Sequence, residues 1–122
     1  MDAFELSTLV TACSTSNNPY LEFIRQPSLS VGLYMLSAGA ADLQEPHTED
    51  EIYYIVKGRG SILVGDESRN VETGAVIFVQ ANIVHRFHTI TEDLTILVFF
   101  APAEYTNEAA HQSNLSIKNT RL

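Results

Sequence analysis

Between Glu45 and Val56 the chain alternates with a period of two. Glu45, His47, Glu49, Glu51, Tyr53 and Ile55 share one parity, and Ile52, Tyr54 and Val56 share the other. Successive side chains of an extended strand point to opposite faces, so one face is predicted to carry ionisable groups at one end and apolar packing at the other. Imidazoles and carboxylates gathered on one face are metal ligands by type. The opposite face is apolar as well, which is expected of a strand covered on both sides. A partner copy of the chain is one candidate for that cover.

The segments around this strand have the same character. Residues 20–25, 30–36, 51–56, 60–64, 76–79, 84–89 and 94–100 are short runs rich in β-branched and aromatic side chains. Between them stand turn formers: Gln26-Pro27, Ala38-Gly39, Gly58, Gly65-Asp66, Thr73-Gly74 and Thr91-Glu92-Asp93. Many short strands with polar turns, and no sustained helical pattern to cover a parallel sheet, predict an all-β sandwich or barrel. Ahead of them, Asp2 to Glu5 fits a capping box, and Leu6, Leu9, Val10 and Cys13 recur at helical spacing. A short helix over 3–13 is expected, with a strand as the alternative because Thr8, Val10 and Thr11 are poor helix formers. A Ser- and Asn-rich turn follows at 14–19. From Pro102 onwards the composition turns polar, giving a tail that holds at most a short helix around Asn107 to Gln112. With 122 residues there is room for one core. The expected organisation is an N-terminal helix and turn over 1–19, a barrel over 20–101 and a tail over 102–122.

Composition excludes several partners. Fifteen acidic against seven basic residues give a net charge of -8, which repels phosphate backbones and anionic membrane surfaces. The bases are scattered, with no aromatic interleaving that would make a stacking platform, so nucleic acid is not expected. Cys13 is the single cysteine, and no intrachain disulfide can form. Val10 to Cys13 imitates a lipoprotein cleavage site, but the residues before it include Asp2 and Glu5 and no Lys or Arg. No apolar run approaches the length of a membrane span. A cytoplasmic protein is the expectation.

Two spacings then resemble a known family. Gly39, Glu45, His47, Glu51 and Gly58 reproduce the intervals of the first cupin motif, with Glu45 where a first histidine usually stands. With fifteen residues between it and Gly58, Gly74 opens a stretch similar to the second motif. It has Gln80 in place of proline, Asn82 in place of glycine, His85 in the histidine position and Thr89 in place of asparagine. The resemblance implies a double-stranded β-helix, a small jelly-roll barrel, holding one divalent metal ion inside. Carried over by position, its ligands are Glu45, His47, Glu51 and His85. It also implies a homodimer paired through its sheets.

His47, His85 and Glu51 make a set resembling the two-histidine, one-carboxylate triad, which leaves positions open for substrate. Glu45 as a further ligand makes the site harder and more anionic, suiting Fe, Mn or Zn. If Glu45 turns outward, water or Glu49 fills its place. Glu49 and Asp50 otherwise read as a charged strand start. His88, three residues from His85, falls on the opposite strand face and is expected at the surface; His111 in the tail is expected in solvent. Ile55, Phe78 or Val79, Phe87 and the 94–100 run are expected to wall the interior. Tyr53 shares the parity of the ligands, and its hydroxyl is the candidate proton donor, with Glu51 the candidate catalytic carboxylate. The functional expectation is a metal-dependent enzyme acting on a small molecule, either dioxygenase-like or a redox-neutral isomerase or lyase. The alternative is a non-catalytic ligand- or metal-binding barrel. A sensor of the transcription-factor kind is disfavoured, since no helix-turn-helix precedes the barrel, and a storage role is disfavoured because that needs two barrels.

Overall fold

The computed structural model describes residues 1–42 and 46–107 of the chain. One helix, α1 (Leu6–Thr15), precedes six strands: β1 (Tyr20–Gln26), β2 (Leu29–Leu36), β3 (Asp50–Val64), β4 (Glu67–Glu72), β5 (Val76–Val79) and β6 (His85–Ala101). All ladders are antiparallel, in the order β1-β2-β6-β3-β4 with β5 on β3.

The helix forms without the expected capping box. Glu5 is its N-cap, no side chain caps it, and Asp2 lies outside. The chain before it is fixed instead by an edge-to-face contact of Phe4 on Phe23, with ring centroids 5.1 Å apart. Cys13 is the helix residue that is buried; its thiol lies against the Pro19 carbonyl, and burial pushes its pKa up.

The longest ladder joins β3 and β6, from Asp50 opposite Ala101 to Val64 opposite His85. Gly58 and Thr91 to Asp93, read from sequence as turns between separate strands, interrupt neither strand. They fall where the register shifts between Lys57 and Arg59 and again between Arg59 and Ser61, in bulges that bend the ladder while keeping it paired. Gly58 adopts φ 106, and a Cβ there would stand 2.1 Å from the Asp93 carbonyl oxygen. Only glycine satisfies both conditions. β4 escaped the sequence reading because Val71 is the one buried residue in its polar run.

Burial along β3 follows the predicted parity. Glu51, Tyr53 and Ile55 point inward and are at most 1% exposed, and they join Phe87, Ile96, Val98 and Phe100 in the barrel interior. Val79 rather than Phe78 takes the inward position on β5; Phe78 is 59% exposed. The outer face is left uncovered by the described residues. Ile52 and Tyr54 are paired across the ladder with Phe78 and Val76, and the four form an exposed apolar patch. Among the described residues no helix is long and apolar enough to cross a membrane.

Gly58→Ala is expected to lower unfolding stability by about 2 to 4 kcal/mol, from left-handed strain plus the carbonyl clash. Gly74 has φ 95 but nothing within 4 Å of its would-be Cβ, so Gly74→Ala carries the strain alone, about 1 to 2 kcal/mol. Urea denaturation of the two variants measures the difference, and equal losses would refute the close-approach argument.

Candidate metal centre

Three chain segments deliver the donors. Glu51 is the second residue of β3, held between Val79 of β5 and Phe100 of β6. His85 opens β6 opposite Val64, at the far end of β3. The bulged β3–β6 ribbon therefore curls until residues paired at opposite ends of β3 face each other across the interior. His47 lies just before β3. Its carbonyl accepts a 2.6 Å hydrogen bond from the Asn82 amide, and its ring packs on Phe100 at 4.8 Å. Asn82 has φ 67, so an asparagine supplies the left-handed backbone for which the motif usually uses glycine. Thr89, standing where the motif has asparagine, is also left-handed at φ 48, a strained choice for a β-branched residue.

The donor atoms converge. His85 Nε2 lies 3.0 Å from Glu51 Oε1, His47 Nδ1 lies 3.2 Å from the same oxygen, and the two ring nitrogens are 3.2 Å apart. All three side chains are about 1–2% exposed. Despite these separations neither Glu51 oxygen has a well-directed hydrogen bond to a described residue. The atoms are aimed at a shared point more than at one another. Ligands held at about 2.1 Å and at right angles stand about 3.0 Å apart, while a tetrahedral angle gives about 3.4 Å. The edges of this triangle fit one face of a six-coordinate site, so the residues fit a divalent ion.

Electrostatics agree with the geometry. Burial alone would raise the Glu51 carboxyl, but the His47 and His85 imidazoles beside it outweigh that and hold it below the usual carboxylate range. Burial would lower His85, but the Glu51 carboxylate on Nε2 and the Ile83 carbonyl on Nδ1 raise it. That carbonyl, 2.8 Å away, can only accept; a proton on Nδ1 satisfies it and leaves the Nε2 lone pair facing the centre. Asp42 braces the floor behind His85: it accepts hydrogen bonds from Tyr34 at 2.7 Å and from the Phe87 amide at 2.8 Å.

Of the residues proposed from sequence, His47, Glu51 and His85 come together, and Glu45 lies outside the described residues. Glu49 is corrected. It is neither a reserve ligand nor a solvated strand start, but buried, accepting from the amides of Tyr105 at 3.1 Å and Asn107 at 2.9 Å. Asp50 points the other way and accepts from the Ala81 amide at 2.9 Å. Tyr53 is fully buried, edge-on to Phe87, with its ring 6.1 Å from that of His85. His88 lies outside the centre, at 2.9 Å from the Ser68 hydroxyl on β4. His111 lies outside the described residues. The residue that sequence reasoning missed is Glu104. It sits in the expected tail, is 1% exposed, and its Oε2 stands 3.4 Å from His47 Nε2. No motif or periodicity marks it.

Comparison with known proteins agrees with this architecture. The family described as "Cupin domain" matches residues 32–100, a span that includes all three donors. An uncharacterized protein of Streptomyces coelicolor is 46% identical over 104 residues, which is 85% of this chain and 99% of the relative. Among solved structures, a Thermus thermophilus protein superposes with a TM-score of 0.70 at 24% identity, over 84% of this chain and 99% of that one. The salicylate 1,2-dioxygenase of Pseudoaminobacter salicylatoxidans superposes with a TM-score of 0.63 at 13% identity, over 67% of this chain and 24% of that one. At such identities the two structures speak for the fold, a double-stranded β-helix, and not for the reaction. By its motifs, its barrel and the family match across more than half its length, the chain belongs to the cupin family.

Proposed function

We propose that the protein is a metal-dependent enzyme of the cupin type acting on a small molecule, with one divalent ion held by His47, Glu51 and His85. The observation that carries this reading is the triangle of buried donor atoms with edges of 3.0 to 3.2 Å and no well-directed hydrogen bond to Glu51. Right-angle edges favour Fe or Mn over a tetrahedral Zn site. When bound, such an ion acts as a Lewis acid toward substrate oxygens, or as a redox centre if it is iron. The chain's own residues supply the rest. Phe100 and Phe87 keep the interior dry, which strengthens every charge interaction there. Tyr53, beside His85, is the phenol assigned to donate a proton to a bound substrate oxygen. Dioxygenase-like turnover and redox-neutral isomerisation or lyase chemistry both suit this arrangement. We assign the exposed Ile52, Tyr54, Val76 and Phe78 patch to a second copy of the chain, since a two-fold axis through it would set like against like.

A second reading draws on the near-complete burial of the donors, which is also the mark of a closed, non-catalytic metal site.

Elemental analysis of protein purified without a metal-binding tag is expected to give about one Fe, Mn or Zn per chain, and His47→Ala or His85→Ala to bring this near zero without unfolding the barrel. Full metal retention by either variant would sink the ligand assignment. Protons compete with the ion for His85 Nε2, and the ring pKa lies above the ordinary 6.5. Apparent metal affinity should therefore fall about tenfold per pH unit once the pH drops through that raised value, starting above 6.5 and not below it. A flat profile between pH 8 and 6 would count against His85.

Turnover separates the two readings. Oxygen uptake by the iron-loaded protein across a panel of small hydroxylated acids marks a dioxygenase; product formed without oxygen marks isomerase or lyase chemistry. In either case Tyr53→Phe should lower kcat by about 10²- to 10⁴-fold at unchanged metal content. Stoichiometric metal with no turnover on any panel member favours the closed site.

A further inference from the structure

The turn after β6 is built with more care than a tail requires. The Glu104 amide donates to Ser30 Oγ at 2.9 Å, and Ser30 is fully buried on β2. Arg25 of β1 donates to the Glu104 carbonyl at 2.8 Å. Glu49, just before β3, takes the Tyr105 and Asn107 amides on its two oxygens, and Asn107 Nδ2 donates to the Thr48 carbonyl at 2.9 Å. Tyr105 has φ 70, an uncommon backbone for a bulky residue that persists only when its surroundings over-determine it. Five contacts from three parts of the chain thus fix a six-residue turn, and their joint effect is to seat the Glu104 carboxylate behind His47.

We infer that Glu104 is a positioning residue for the metal centre: its carboxylate holds the proton of the neutral His47 ring on Nε2 and so presents the Nδ1 lone pair to the ion. The inference rests on the metal reading proposed above. An imidazole has two nitrogens, and the partner of one decides what the other can do. His47 Nδ1 faces Glu51 and His85, while Nε2 faces Glu104 at 3.4 Å and has no well-formed hydrogen bond to any described residue. That distance is longer than an ordinary hydrogen bond, so the attraction is between a carboxylate and the N–H edge of the ring, strengthened by the dry surroundings. With the proton on Nδ1 instead, an N–H would point into the centre and block the ion. His85 solves the same problem with the Ile83 carbonyl. The centre therefore has one backbone acceptor and one side-chain acceptor behind its two histidines. The side-chain acceptor comes from a segment outside both sequence motifs.

The test compares the wild-type chain with Glu104→Leu and Glu104→Gln, using Co(II) as the probe ion in competition with a chelator at pH 8. Glu104→Leu is expected to weaken Co(II) binding about 10- to 100-fold. Glu104→Gln, which keeps an acceptor oxygen but not the charge, should recover part of that loss. Long-range ¹⁵N–¹H spectra of the Zn(II)-loaded proteins, in which the ion and not Glu51 occupies the inner nitrogen, supply a readout that packing alone would not move. His47 should appear as the Nε2–H tautomer in wild type, with that proton's hydrogen-bonded downfield shift lost in the leucine variant. Should the leucine variant fail to fold, the glutamine variant and the wild-type tautomer still decide the matter. A wild-type His47 in the Nδ1–H form, or Co(II) binding by the leucine variant as tight as wild type, would overturn the inference and leave the metal reading intact. No Co(II) binding by the wild-type chain would overturn both.

Discussion

A carboxylate buried at 1% exposure must be surrounded by positive charge or donors, or it gives up its charge. Glu51 is such a group, and the two imidazoles at 3.0 and 3.2 Å compensate it when protonated, a part that a bound cation would take over. Much of the architecture can be traced to the need to assemble that trio. One imidazole comes from the segment before β3 and the other from the start of β6, which pairs with the opposite end of β3. They meet only because the β3–β6 ribbon curls. The ribbon curls through bulges, and the bulge at Gly58 exists because the backbone there touches the Asp93 carbonyl where no side chain fits. A turn-forming glycine in the sequence is thus, in three dimensions, a hinge that brings two ends of one strand together.

Three consecutive acids show how little a charge run says about its members. Glu49 points inward and closes the turn after β6; Asp50 points outward and holds the loop between β5 and β6; Glu51 points inward to the donors. The strand alternation that assigns these directions is a property of the backbone. What each carboxylate meets is a property of the tertiary fold. Two loops and one cluster of buried side chains are pinned by a single tripeptide, so a change of register in β3 by one residue would undo all three.

That division also explains what was legible beforehand. The parity of His47, Glu51, Tyr53 and Ile55, and the intervals to His85, are written locally, and they anticipated the barrel and the convergence of three side chains inside it. Gly58 and Thr91 to Asp93 misled, because a bulge and a turn use the same residue types. β4 was invisible since an edge strand with one buried side chain, Val71, carries no hydrophobic pattern. Phe78 and Val79 were left open, and pairing of Ile52 with Phe78 put the larger ring outside. Glu104 could not be read at all: its buried place depends on Ser30, Arg25 and Glu49, through contacts that span about half to two-thirds of the chain's length. Nothing in the residues adjacent to it encodes that destination.

The docked turn has a consequence for the order of assembly. Residues 47, 51 and 85 all leave the ribosome before residue 104, so a growing chain holds the three clustered side chains while His47 still lacks the carboxylate behind it and Glu49 still lacks the amides it will accept. The last piece to arrive is the turn that packs beside them. Closure of the cluster's surroundings therefore waits on that turn, a latch thrown from the late end of the polypeptide.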